Sequence, residues 1–266
     1  MNAFQGRVAF VTGGGTGIGL ACARAIVSGG GRVMLAGRRE DVVRGAARSL
    51  GAEDRADAIA CDVGDEASVE RAVAATLDRF GGLQLAVNSA GTGTVGSVLN
   101  SSSQDFSRIL DTNLTGVFRC LRAEARAMKA AGGGSIVNVS SIAGELTHRW
   151  MTAYCASKAG LNMLTRCAAD DLGEHGIRVN AVMPSLVPTD LTAPMAANPE
   201  VRAEYLSRMP VARLGSPEDV SALVTFLLSD AAAWITGQCV AVDGGHTLRQ
   251  GPDMVRLFRA VLPDER

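Results

Sequence analysis

Thr12-Gly13-Gly14-Gly15-Thr16-Gly17-Ile18-Gly19 directly follows an apolar run at 7–12 and opens a helical pattern at 17–28. Glycines at 13, 17 and 19 permit positive φ angles and close backbone approach. A helix N-terminus presents free N–H groups and a partial positive charge to a pyrophosphate. The spacing G-x-x-x-G-x-G satisfies the dinucleotide fingerprint G-x-G-x-x-G in no register, which points to a distinct class of nucleotide-binding turn formed by Gly13, Thr16, Gly17, Ile18 and Gly19. A merely flexible glycine-rich loop is the plain alternative; a strand before it and a helix after it weigh against that.

Working outward, apolar runs recur at 7–12, 31–35, 56–62, 83–88, 134–139, 177–183 and 238–242. They are apolar almost throughout instead of alternating, as parallel strands covered on both faces are. Amphipathic stretches at 17–28, 66–79, 103–130 and 152–174 separate them and are long enough for crossover helices. The expected fold is α/β: a Rossmann-type doubly wound, seven-stranded parallel sheet with helices on both faces and ligands beyond the carboxyl ends of its strands. Residues 1–266 read as a single domain with two departures. One is an excursion at 185–213, with Pro188, Pro194, Pro199 and Pro210, placed to act on substrate access. The other is an extension at 246–266 whose Met254, Val255, Leu257, Phe258, Val261 and Leu262 form a helical apolar stripe needing a cover.

Lys and Arg number 26 against 27 Asp and Glu, a net charge of −1, so no basic field exists to hold nucleic acid or anionic lipid. The six cysteines stand singly without a C-x-x-C pair, which indicates neither a zinc site nor a disulfide framework and suits a reducing cytoplasm. With no basic-then-apolar leader and no run of apolar residues long enough for a span, secretion and membrane insertion are not expected.

At the end of the second strand a carboxylate would hold the ribose 2′-hydroxyl of NAD(H). The chain instead runs Leu35-Ala36-Gly37-Arg38-Arg39, so a guanidinium can take the 2′-phosphate of NADP(H); the lesser alternative, two solvated charges opening the next helix, leaves NAD(H) open. Asp62 and Val63 after the third strand, and Asn88, Ala90 and Gly91 after the fourth, fall on the adenine and ribose side, with Asp62 able to accept from the adenine amino group.

Tyr154 and Lys158 stand four apart on one helical face. A phenol exchanges protons poorly near neutrality, and a neighbouring ammonium together with a positive nicotinamide ring favours the phenolate, so the Tyr154 pKa is expected to fall. Lys158 can also donate to the nicotinamide ribose. Ser141, ending a strand, can polarise a carbonyl that receives hydride on carbon and a proton from Tyr154 on oxygen. Asn113 can hold a water against Lys158.

In this order, T-G-x-x-x-G-I-G, N-S-A-G, Asn113, Ser141 and Tyr154-x-x-x-Lys158 resemble the short-chain dehydrogenase/reductase family over about residues 6–245. The resemblance implies a serine–tyrosine–lysine mechanism with an assisting asparagine, and a homotetramer or homodimer. It also implies Pro184, Val187 and Thr189 as contacts to the nicotinamide carboxamide side. Two residues depart from the family: Ser89 in what is usually N-N-A-G, and Ser185 in what is usually P-G, where a serine has less backbone freedom. Substrate choice is assigned to 92–98, 142–152 and 185–213, with the extension at 246–266 as a further candidate. Within these, Trp150 and Met151 either line an apolar pocket or pack at a subunit contact or beneath a lid, and His148 is a polar rim residue. The expected substrate is a small, moderately apolar carbonyl compound or alcohol. The rival readings are a catalytically silent nucleotide-binding regulator, an NAD(H)-preferring dehydrogenase, and an epimerase or dehydratase on the same fold.

Overall fold

The computed structural model describes residues 3–251, so the apolar stripe expected at 254–262 lies outside the described residues. Strands β1 (Val8–Thr12), β2 (Arg32–Gly37), β3 (Ala56–Ala60), β4 (Leu85–Asn88), β5 (Gly134–Val139), β6 (Ile177–Pro184) and β7 (Cys239–Val242) form one sheet in the order β3-β2-β1-β4-β5-β6-β7. Every pairing is parallel. β1 and β4 are buried at every position, which explains why their sequences do not alternate.

Between the strands run α1 (Gly17–Ser28), α2 (Glu40–Ser49), α3 (Glu66–Phe80), α4 (Ser103–Leu110), α5 (Gly116–Ala130), α6 (Thr152–Gly173), α7 (Ala193–Ala197), α8 (Pro199–Arg208) and α9 (Pro217–Leu228). One face of the sheet is covered by α1, α2 and α9 through Cys22, Ile26, Val43, Val220 and Leu227. The other is covered by α3, α5 and α6 through Val69, Val73, Cys120, Met128 and Ala168. The winding reverses between β1 and β4, so their carboxyl ends open a crevice where a ligand can enter. Thr12 ties this point together, its Oγ1 accepting from the backbone N–H of Ser89 (3.2 Å) and Ala90 (3.3 Å).

Among the boundaries that differ from the sequence reading, two bear on the site. β2 runs on to Gly37, so Arg38 leaves the strand end directly. The stretch read as one helix at 103–130 is interrupted by a wide π turn, Asp111–Thr115, between α4 and α5. Such turns insert a residue into the helical ladder and re-aim its side chains; here the re-aimed one is Asn113.

Beneath the strand ends lies a buried polar cluster. Asn88 Nδ2 donates to Glu124 Oε2 (3.0 Å) and Asn138 Oδ1 (3.1 Å), and Asn138 Nδ2 donates to Thr165 Oγ1 (3.0 Å). Among the described residues Asn88 Oδ1 and Glu124 Oε1 have no partner. Burial pushes the Glu124 carboxyl up from 4.5 to about 8, with the Asn88 bond acting weakly the other way, because a neutral acid tolerates an unpartnered oxygen far better than a carboxylate does. The folded state therefore prefers the protonated form. That contribution is complete below about 4.5 and is lost as pH rises to about 8, at a slope of up to ~1.4 kcal/mol per unit. Glu124→Gln keeps the acceptor for Asn88 and removes the titration. Its melting temperature is expected to fall less than the wild type's over this range, and identical pH profiles would refute the assignment.

Candidate active site

The carboxyl ends of the strands enclose a cleft of about 510 Å3. Its floor is the glycine turn: Gly13, Thr16, Gly17 and Ile18 line it, with Gly13 at φ 63° and Gly17 at φ 53°. A Cβ on Gly13 would lie 2.8 Å from the Ser89 carbonyl oxygen, so the turn reaches the switch point only with glycine there. Gly19 is not in the cleft wall. It sits behind the turn, where a side chain would press into the Gly13 carbonyl, so its role is closure of helix against turn.

Arg38 and Arg39 line the cleft at the end of β2, both exposed. Asp62 and Val63 follow β3 on the same side; Asp62 Oδ1 accepts from Gly64 N–H (2.9 Å) and its own N–H donates to Ser68 Oγ (3.1 Å), which fixes the loop. Ala90 and Gly91 line the wall after β4, and Pro184, Val187 and Thr189 line it after β6. Asn88, expected on the cofactor, does not line the cleft: its side chain turns inward to Glu124 and Asn138.

Ser141, Tyr154 and Lys158 meet at the mouth. Ser141 caps the tight turn Ile142–Gly144, its Oγ accepting from Ala143 N–H at 3.1 Å. Tyr154 and Lys158 project from the first turns of α6, with the ammonium 5.7 Å from the phenol ring centre. Lys158 is 5% exposed, and its Nζ donates to the Val139 carbonyl at 2.8 Å. Burial brings this ammonium down to about 8.

The Tyr154 pKa corrects the sequence reading. In the protein alone burial pushes the phenol up to about 12, the Ser141 hydroxyl offsets only part of that, and the nearby Tyr205 adds to it. Lys158, itself buried and committed to the Val139 carbonyl, is not among the groups that move it. The Asn113 side chain braces the β4 loop against α6: its Oδ1 accepts from Thr92 N–H (2.8 Å) while its Nδ2 donates to Thr92 O (2.8 Å) and Ser157 Oγ (3.1 Å).

Ser141, Tyr154, Ser185, Leu191 and Thr192 also form the wall of a second chamber of about 240 Å3. The segments 92–98, 142–152 and 185–213 all reach it: Val95, then Ile142, His148 and Met151, then Leu186, Met195 and Tyr205. Trp150 is outside it, 56% exposed, with its carbonyl accepting from Gly96 N–H (2.8 Å). Its φ of 66° makes it the single non-glycine residue in the left-handed region among the described residues. Ser185 therefore needs no glycine-only conformation. Its hydroxyl instead meets His246 Nδ1 at 2.9 Å, a contact that nothing in the local sequence signalled. Among the described residues no helix is long and apolar enough to cross a membrane, and no cluster of His, Cys, Asp or Glu could hold a metal ion.

A sheet wound both ways from one strand, with a glycine turn and a proton-exchanging pair facing one opening, is the architecture of a nucleotide-dependent α/β enzyme. A family model described as enoyl-(acyl carrier protein) reductase matches residues 13–247. The chain is 38% identical to galactitol 2-dehydrogenase (L-tagatose-forming) of Cereibacter sphaeroides, covering 92% of this chain and 96% of the relative. It is 42% identical to cis-4-hydroxycyclohexanecarboxylate dehydrogenase of Sinomonas cyclohexanicum, covering 92% and 98%. The solved structure of a short-chain type dehydrogenase/reductase from Mycobacterium ulcerans superposes with a TM-score of 0.90 at 39% identity, covering 98% of this chain and 97% of that one. The chain belongs to the short-chain dehydrogenase/reductase family. It is an oxidoreductase of the carbonyl–alcohol pair, in a family that works with nicotinamide cofactors.

Proposed function

We propose that the protein interconverts a ketone or aldehyde and a secondary alcohol on a small, moderately apolar molecule, with NADP(H) as its cofactor. The observation that carries this reading is that the glycine-turn cleft and the apolar chamber share one wall, made by Ser141 and Tyr154. The residues present fit a dinucleotide. The turn brings free N–H groups to the cleft floor, and a Cβ on Gly17 would crowd Thr189 at 2.9 Å and narrow the passage. Lys158 is buried with one acceptor, so two of its N–H bonds remain for ribose hydroxyls.

A bound nicotinamide supplies or takes the hydride and, when oxidised, adds a positive charge beside the phenol. Tyr154 holds the proton that goes to the carbonyl oxygen during reduction and receives it back during oxidation. Ser141 directs its hydroxyl at the same oxygen and so steadies the developing negative charge. Lys158, its own pKa drawn down to about 8, remains mostly an ammonium near neutrality and favours release of the Tyr154 proton. Asn113 is a positioning residue that keeps the Thr92 loop against α6.

NADP(H) is favoured over NAD(H) by Arg38 and Arg39 at the β2 end, where the phosphate-discriminating position has no carboxylate. The wild type is expected to show a higher kcat/KM with NADPH than with NADH. Arg38→Ala should lower the NADPH-to-NADH ratio by roughly tenfold, the size of one charged hydrogen-bonded contact. Equal efficiency with both cofactors before mutation would remove the phosphate site. Turnover itself is read as NADPH consumption across a panel of carbonyl compounds; cofactor binding without turnover of any would favour a silent regulator. A homo-oligomer, tetramer or dimer, belongs to the same reading, supported by the outward-facing Trp234 (100% exposed) and Leu99 (92%). Six free thiols fit a cytoplasmic setting.

A further inference from the structure

The chamber beside Tyr154 is apolar along most of its wall, where Val95, Ile142, Met151, Leu186 and Met195 leave nothing to hydrogen-bond a chain of hydroxyls. Of the polar side chains in it, Ser141 and Tyr154 belong to the wall shared with the cleft, Ser185 and Thr192 are hydrogen-bonded to His246 and to the Val187 carbonyl, and Thr94, His148 and Tyr205 remain. His148 and Tyr205 line this chamber and not the nucleotide cleft, and their ring centres stand 6.4 Å apart. A group lodged between them would therefore belong to the substrate and not to the cofactor.

Their hydrogen-bonding capacity is complementary. His148 Nδ1 lies 3.3 Å from the Leu146 carbonyl, which can only accept, so Nδ1 carries the hydrogen and Nε2 is left as an acceptor. The Tyr205 hydroxyl makes no hydrogen bond to the protein among the described residues. Its ring is nonetheless held in place. His246 packs edge-on against it at 5.4 Å and 79°, and His246 is in turn fixed by Ser185, whose Oγ meets Nδ1 at 2.9 Å. The tyrosine on α8 is thus braced by the segment after β7 and the loop after β6, a cost in ordering that an idle surface residue would not repay.

We propose that His148 and Tyr205 bind a second hydroxyl of the substrate, so that the chamber selects a small hydroxy-ketone, or the matching diol, on an otherwise apolar skeleton. A hydroxyl both gives and takes a hydrogen bond: it donates to His148 Nε2 and accepts from the Tyr205 hydroxyl. A carboxylate only accepts and would face the Nε2 lone pair; a polyol would leave its other hydroxyls unpaired against the apolar wall. This rests on the oxidoreductase reading of the same site.

Three ring ketones of nearly equal size test it: cyclohexanone, 4-hydroxycyclohexanone and 4-oxocyclohexanecarboxylate. The wild type is expected to show kcat/KM about tenfold or more higher for 4-hydroxycyclohexanone than for cyclohexanone. In Tyr205→Phe, and separately in His148→Phe, that ratio should fall to within about threefold. A wild-type ratio near one, a ratio that survives both substitutions, or a preference for the carboxylate over the hydroxyl would each overturn the proposal. Calorimetric titration of cyclohexane-1,4-diol and cyclohexanol into protein saturated with NADP+ reads the same preference without turnover. If no ketone is reduced yet the diol binds about tenfold more tightly and Tyr205→Phe abolishes the difference, the hydroxyl subsite stands and the redox reading falls. If ketones are reduced without any hydroxyl preference, the subsite alone falls.

Discussion

Tyr154→Phe is expected to lower kcat by about a thousandfold while the dissociation constant for NADPH changes by no more than about twofold. The ring is kept, so packing at the mouth of the cleft is kept; only the hydroxyl that carries the proton is lost. Nothing else in position can replace it. The Ser141 hydroxyl is a far weaker acid in any environment, and Lys158 spends one N–H on the Val139 carbonyl and is buried behind the phenol. Steady-state kinetics on any ketone the wild type reduces, with a fluorescence titration of NADPH alongside, separate the two quantities. A variant that kept kcat within about tenfold would show that the proton reaches the carbonyl by another route.

The high pKa of that phenol carries a consequence for how much can be read from sequence. Spacing placed Tyr154 and Lys158 on one face of α6, and the structure has them there, because a helix fixes the relation of residues four apart. The glycine turn was equally legible, since a strand, a turn and a helix are consecutive in the chain. Electrostatics was not legible in the same way. Whether an ammonium lowers a phenol depends on how much water both retain, and that is set by tertiary neighbours such as Ser141 and Tyr205, which sequence spacing does not bring together.

The contacts of Asn88 and Asn113 escape a sequence reading for a related reason. Both lie in motifs that mark the site, yet each faces a partner far along the chain: Asn88 meets Glu124 and Asn138, and Asn113 meets Thr92 and Ser157. A motif gives the position of a residue along the strand or helix, whereas the rotamer is chosen by tertiary neighbours. The π turn that aims Asn113 leaves no mark in the hydrophobic period, because α4 and α5 continue the same amphipathic pattern on either side of it. Tyr205 had one faint signal. The chain has two tyrosines, and both line the chamber, one from α6 and one from α8. Only the fold shows that they meet.

Gly19→Ala is expected to be the most damaging single methyl in the nucleotide site, costing about 2–4 kcal/mol of stability and at least about tenfold in cofactor affinity. Gly19 has ordinary helical geometry, so backbone strain is not the cause. The added Cβ would sit against the Gly13 carbonyl oxygen, with the Gly13 carbonyl carbon at 2.8 Å and the Gly14 Cα at 3.2 Å. All three are backbone atoms of the turn, and the turn cannot retreat, because Gly13 already abuts Ser89 and Ala90 across the switch point. Relief must come from α1 lifting off the turn, which moves the N–H groups at the helix start away from a pyrophosphate. Gly45→Ala is the control. Gly45 lies within α2 with open space around its Cβ position, so the substitution should stabilise by roughly 0.5–1 kcal/mol through helix propensity alone. Thermal melts of both variants with and without NADPH make the comparison: Gly19→Ala should lose both the melting temperature and the shift on adding cofactor, and Gly45→Ala should retain both. A Gly19→Ala protein that melts with the wild type and keeps its cofactor shift would mean that the turn has slack that its crowded backbone does not show.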